Sequence, residues 1–306
     1  MAHRLTRSNW IWQLSFLFFL LSTCCFAIFR AQLLWWQILL HIVLVGGNVV
    51  LLQMMTKQYE LLGSLSSLPA VIYLLFHAFC PTFVYEPQAY AASICLLFSC
   101  MNVFDCYHKN ECRVNVFNAF FFLGIAALFM PGLLVLIPVF WITFNIINAL
   151  NIRRIFASLL ALFTIALCVF CYVFCFNQQE ALFLYLNHCL ESYYARIYIR
   201  NEEWIFLGML VVMSAFGIVH FLSNGHRIRS NSTRLFNHFL LIFGLCCAAM
   251  MIIHSPLRQQ YLIVASLPFS VITGMYFNDT DKLFSSILAV LSLLVGLGYG
   301  LHSFLI

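Results

Sequence analysis

Long apolar runs alternate with short polar stretches along the whole chain. The pattern is clearest between Asp105 and Arg154. A polar loop, Asp105 to Arg113, leads into an apolar run, Val114–Met130. Pro131-Gly132 breaks it, and a second run, Leu133–Leu150, ends at Asn151-Ile152-Arg153-Arg154. A run of this length suits one membrane-crossing helix, which needs roughly 20 apolar residues. The Pro-Gly break predicts a hairpin of two such helices folded against each other.

The same grammar repeats. Further runs fall at Trp10–Phe29, Leu33–Gln53, Leu65–Val84, Ala89–Phe104, Ile155–Phe176, Trp204–Leu222, Phe236–Ile253, Tyr261–Phe277 and Leu283–Leu305. The reading is an all-α, polytopic transmembrane helical bundle of about eleven spans (ten to twelve), forming a single transmembrane domain over residues 1–306. The longest stretch between spans is 177–203. There Phe183, Leu186, Leu190 and Ile197 recur at helical spacing opposite Asn187, His188 and Glu191. That predicts one amphipathic helix lying along the membrane interface.

Composition agrees. Only 8% of the 306 residues are charged and 64% are hydrophobic, against about 25% charged in a soluble domain. The net charge of +5 is spread over short loops, not gathered on one face, so nucleic acid is not an expected partner and the lipid bilayer is. The positions of those charges give orientation. With a cytoplasmic N-terminus, the inner loops hold eleven Lys and Arg residues. The outer loops hold four, Arg30, Arg196, Arg200 and Arg258.

Candidate chemistry is sparse. Glu86 lies in Pro81-Thr-Phe-Val-Tyr-Glu86-Pro87, an outer loop constrained by two prolines, where a carboxylate can serve as a general base. Arg196 and Arg200 are four apart near the end of the amphipathic segment, suited to holding the phosphate of a lipid carrier. His41, Asn48, His77, Asn118, Asn145, Asn148, His220, His238 and His254 fall within the apolar runs. Polar groups there bond neighbouring helices or line a path. No Asp or Glu interrupts a run, which weakens a proton- or sodium-coupled transporter, the third functional reading.

The 13 cysteines form no disulfide framework. Cys168, Cys171 and Cys175 share a helix face, and Cys106, His108 and Cys112 share a loop, but neither spacing matches a common metal site. No metal or cofactor is expected. Ser292, Gly296 and Gly300 form a small-residue face fit for close helix packing.

Two resemblances bear on function. Val116-Phe-Asn-Ala-Phe-Phe-Phe-Leu-Gly124 through Pro131, with Arg153-Arg154-Ile-Phe beyond the hairpin, resembles an uncharacterised family of integral membrane proteins from Bacteroidota. That resemblance implies the bacterial inner membrane and brings no catalytic residues. The same region looks distantly like polytopic glycosyltransferases that use polyprenyl-phosphate sugars. Those carry an acid in the first large outer loop. Here that loop is Arg30-Ala-Gln-Leu, and Glu86 stands in its place. The first functional expectation is a scaffold or accessory subunit of cell-envelope assembly, with a membrane-protein partner at its outer face. The second is an enzyme of lipid-linked glycan or lipid biogenesis acting on a polyprenyl-phosphate lipid.

Overall fold

The structure, a computed structural model, describes residues 9–27, 34–62, 66–107, 111–147, 149, 151–180, 182–185, 187, 201–224, 231–254, 257–279, 287–291 and 293–298. Among them ten α-helices follow one another: α1 (Asn9–Phe26), α2 (Trp35–Gln58), α3 (Leu68–Phe79), α4 (Pro87–Phe104), α5 (Arg113–Phe129), α6 (Leu136–Ile146), α7 (Ile152–Cys175), α8 (Asn201–Asn224), α9 (Asn231–Ile253) and α10 (Arg258–Asp279). A further helical stretch runs over Ile287–Gly298. The described residues include no strand.

Helix ends follow local chemistry. Pro69, Pro87 and Pro131 each open a helical segment, where a missing N–H leaves nothing unsatisfied. Asn151 begins α7, its side-chain oxygen accepting from the Ile152 amide at 2.7 Å. Two expected spans come out shorter than the apolar pattern suggests. Leu65–Val84 becomes the 12-residue α3 followed by a 3-10 turn, Pro81–Tyr85, because Pro81 cannot continue the α-helical bonding. Leu133–Leu150 becomes a 3-10 turn, Pro131–Val135, and the 11-residue α6. Among the described residues five helices, not the expected eleven or so, are long and apolar enough to cross a membrane by length and composition: α2, α4, α7, α9 and α10. The other apolar stretches found among the described residues are 10–17 residues long, among them Trp12–Phe26 within α1 and Val211–Ser223 within α8.

The centre of the bundle is α10. In its apolar window 89% of the residues are buried, against 17% for α7 at the periphery. Small residues let neighbours come close. Gly217 of α8 lies on the Ile272 backbone, Gly244 of α9 on Pro268 and Phe269, and Gly274 of α10 against Pro69 of α3. Pro268 sits inside α10. Of the small-residue face expected in the last apolar run, Gly296 rests on the Phe79 ring. Ser292 and Gly300 lie outside the described residues.

The expected hairpin is modified. Helix α5 packs along α4 and α7, while α6 leans on α9. Helix α6 reaches α5 through the rings of Phe140, Trp141 and Phe144 gathered around Phe120. Hydrogen bonds pin the helices together: Ser22 Oγ to the Ala78 carbonyl at 2.6 Å, Ser99 Oγ to the Ala119 carbonyl at 2.6 Å, and Trp141 Nε1 to Ser158 Oγ at 3.0 Å.

Candidate functional site

Glu86 is the last residue before α4. Pro81 ends the preceding helical run and Pro87 fixes the next one, so the chain turns at Glu86 by local constraint. Its side chain is half-buried. Gln260, in the first turn of α10, donates from Nε2 to Glu86 Oε2 at 2.8 Å. Burial lifts the carboxyl above its ordinary pKa, and the Gln260 bond draws it part of the way back. At the start of the same helix, Arg258 is buried and donates from Nε to the Met251 carbonyl at 3.4 Å. Tyr85 meets the Phe26 ring edge-on, with centroids 6.3 Å apart.

A buried polar cluster lies beneath this acid. Tyr90, one turn into α4, is fully buried. The His77 ring of α3 is 5.3 Å from it and the His41 ring of α2 is 5.0 Å from it. Tyr73 lies one turn before His77, with ring centroids 4.1 Å apart. Asn48, further along α2, donates from Nδ2 to the carbonyls of Leu44 and Tyr90 at 3.0 and 3.1 Å. The His77 Nδ1 stands 2.7 Å from the Tyr73 carbonyl. A carbonyl only accepts, so Nδ1 carries the proton and Nε2 is a bare acceptor in the neutral ring.

Five atoms of this cluster have no hydrogen-bond partner among the described residues: His41 Nδ1, Asn48 Oδ1, Tyr73 Oη, His77 Nε2 and Tyr90 Oη. Leaving a buried polar group unpaired costs roughly 1–3 kcal/mol. The five atoms sit on neighbouring side chains of α2, α3 and α4, so their unmet hydrogen-bonding capacity is concentrated in one buried region.

The sequence singled out Glu86, His41, Asn48 and His77, and the structure brings them into one region. It passed over Tyr73, Tyr90 and Gln260. Tyr90 carried a local signal, being four residues after Glu86 and so on the same helix face. Gln260 carried none. Arg196, Arg200 and Arg30 lie outside the described residues, as does most of the expected amphipathic segment. Residues 201–203, read as its tip, form the first turn of α8.

Asn145 is exposed and Asn148 lies outside the described residues. Cys168, Cys171 and Cys175 are exposed along α7, and Cys106 points at the Cys112 carbonyl, 3.8 Å away. Among the described residues no three His, Cys, Asp or Glu side chains stand together as metal ligands.

Fold and site together define an all-helical protein with helices able to cross a membrane and a polar cluster buried near one end of its bundle. The chain belongs to a family of unknown function, DUF6427, whose model matches residues 4–299. That is nearly the whole sequence, and it agrees with the expectation of an uncharacterised family. No curated protein and no solved structure matches the chain.

Proposed function

We propose that the chain is a multi-pass protein of the bacterial inner membrane, with a cytoplasmic N-terminus, working in cell-envelope assembly through the outer end of its bundle that holds Glu86. The shorter apolar helices complete about eleven crossings. Helix α3 with its 3-10 turn illustrates how: about 18 Å of α-helix and about 10 Å of tighter helix approach the roughly 30 Å of hydrocarbon.

The best-supported activity is that of a polytopic enzyme of lipid-linked glycan or lipid biogenesis. One observation carries it: a half-buried carboxylate, braced by Gln260, above a cluster of unpaired buried polar atoms. A carboxyl with a raised pKa is a more effective base near neutral pH. Glu86 takes the proton from a hydroxyl nucleophile, and Tyr73, Tyr90 and His77 hold the polar part of the substrate. Arg196 and Arg200 supply the chemistry for a polyprenyl-phosphate group.

The scaffold or accessory-subunit reading has its own support. Phe156, Phe163, Phe170 and Phe174 are exposed along α7, a face that a partner helix or lipid covers. Gentle extraction from native membranes, followed by native mass spectrometry, separates the two. The enzyme reading expects a co-purifying polyprenyl or glycan lipid that Glu86→Gln and Tyr90→Phe both release. A stoichiometric protein partner, retained in both variants and lost on Phe163→Ser/Phe170→Ser substitution, moves the assignment to the scaffold.

A further inference from the structure

Helix α7 stands at the periphery and packs along α5. It turns Ser158, Ala161 and Ile165 inward, where they are buried, with Ile165 and Leu162 closing on Gly124 of α5. The face opposite is open among the described residues. Phe156, Leu160, Phe163, Leu167, Phe170 and Phe174 are each between 47% and 67% exposed. They follow one another in alternating steps of four and three, so large side chains form one line down the helix with a repeat of seven residues. Phenylalanine takes one position of that repeat three times, at 156, 163 and 170.

The residue after each of these three is small: Ala157, Thr164 and Cys171. The Thr164 hydroxyl donates back to the Leu160 carbonyl at 2.7 Å, so it asks for no partner outside the helix. No charged residue occurs from Phe156 to Phe174, and three residues before Phe156 the line ends at Arg153, whose charge belongs with the headgroups. This is the layout of helices packed knobs into holes. Large side chains in a seven-residue repeat enter holes on the facing helix, and a small residue beside each hole makes room for a ring.

Lipid or another helix can cover such a face. Taking about 200 Å² for a phenylalanine, the exposed parts of the six side chains amount to roughly 700 Å². Each partner in a stable complex buries about 800 Å², so this line with its flanking residues suffices for one. Lipid tails cover any apolar surface and select no spacing. A seven-residue line with small neighbours fits a helix of the same repeat, and α7 itself carries that repeat. Copies of one chain enter the membrane in one orientation. A closed pair then has its twofold axis along the membrane normal and sets its two α7 helices parallel. In that arrangement each copy's Phe163 meets its counterpart, each Leu160 does the same, and the small column borders the rings.

We propose that α7 is a dimer interface, on which a second copy of this chain lays its own α7 in parallel. This names a partner for the exposed α7 face. It rests on α7 crossing the membrane and not on the chemistry at Glu86.

The test counts molecules. The full chain, with one fluorophore on a terminal tag, is reconstituted into phosphatidylethanolamine and phosphatidylglycerol vesicles at falling protein-to-lipid ratios, and photobleaching steps give the fraction of pairs. The wild type is expected to form pairs that dissociate on dilution. Thr164→Phe fills the small position while keeping the face apolar, and is expected to weaken pairing by about tenfold or more. Cys168→Phe adds the same ring at an exposed position off the line and is expected to leave pairing unchanged. Phe163→Ala removes a knob without adding bulk, is expected to weaken pairing as well, and covers the case in which Thr164→Phe does not fold. Single steps at every ratio, undiminished pairing in both folded variants, or equal loss in Cys168→Phe and Thr164→Phe overturns the proposal, and the first of these identifies lipid as the cover. Treatment of sealed vesicles with a membrane-impermeant maleimide, with the label located by peptide mass spectrometry, separates the two kinds of failure. A modified Cys168 overturns the membrane crossing of α7 together with the dimer, whereas an unmodified Cys168 in a chain that stays single overturns the dimer alone.

Discussion

Gln260 and Glu86 are 174 residues apart in sequence and 2.8 Å apart in space, the amide donating to the carboxylate. Their bond ties the first turn of the most buried helix to the turn that starts α4. It also fixes a carboxylate next to a polar cluster that has unpaired atoms among the described residues.

Glu86 gives a pH signature with a definite sign. Burial raises its folded pKa above the ordinary carboxylate value. Between the ordinary and the raised value, the unfolded chain has released a proton that the folded chain still holds. Stability therefore falls as pH rises through that window, and below it both states are protonated and the dependence vanishes. Glu86→Gln removes the titration. Thermal unfolding in detergent from about pH 4 to about pH 8 is expected to show this component in the wild type and not in the variant. Superimposable profiles would count against a half-buried Glu86.

The polar cluster predicts a gain of stability from loss of polarity. Tyr90→Phe and Tyr73→Phe each remove a buried hydroxyl that has no hydrogen-bond partner among the described residues, and leave the ring in place. Each is expected to stabilise the ligand-free protein by about 1 kcal/mol, read as a higher unfolding midpoint, while abolishing retention of the co-purifying lipid. A lower midpoint would mean that the hydroxyls are already satisfied.

Gly132 follows the proline that ends the α5 region. A Cβ there would fall on the Tyr261 hydroxyl and against the Met250 methyl. Gly132→Ala is expected to destabilise by about 1–3 kcal/mol through overpacking. Tyr261→Phe removes the atom in the way, so the double variant should recover part of that loss. A double-mutant cycle measures the coupling, and strict additivity would refute the contact.

Asn237 is buried in α9 and donates to the Leu61 carbonyl, while its own Oδ1 has no hydrogen-bond partner among the described residues. Asn237→Leu leaves that carbonyl bare but also removes an unsatisfied oxygen. The net loss is expected to be modest, about 1 kcal/mol, because the two effects oppose each other. The shift of the unfolding midpoint against the wild type checks this, and an unchanged or raised midpoint would mean that the Leu61 bond contributes nothing net.

Helices were legible in this sequence because apolar runs bounded by Pro, Asn and Arg leave few alternatives. Their neighbours were not. Helix α10 reads as one more apolar run, Tyr261–Phe277, with no sign that it is the most enclosed of the five long helices. A helix that is apolar all round looks the same beside lipid as beside protein. Its approach sites are single glycines on other helices, Gly217 and Gly244, and these carry no periodic signal. Glu86 stood out as an acid between prolines, and His77 and His41 as polar residues within apolar runs. Tyr73 and Tyr90 passed for bulk, since a tyrosine in an apolar run shows its ring and not the fate of its hydroxyl. The shortening of α3 and α6 was written in Pro81 and Pro131, but hydropathy runs straight through the 3-10 turns.

The central place of α10 sets an order on biogenesis. Helix α3, which carries Tyr73 and His77, leaves the ribosome some 180 residues before α10 begins, about ten seconds or more at ordinary rates of synthesis. During that interval Pro69 borders a seat with nothing in it, joined by Gly217 and Gly244 only near its end, and the Glu86 turn has no Gln260 to brace it. Helices already threaded into the bilayer must wait, loosely associated, for the piece that locks them. A nascent chain arrested just short of Arg258 should therefore be inserted yet unassembled, open to proteases and chaperones in a way that the finished protein is not.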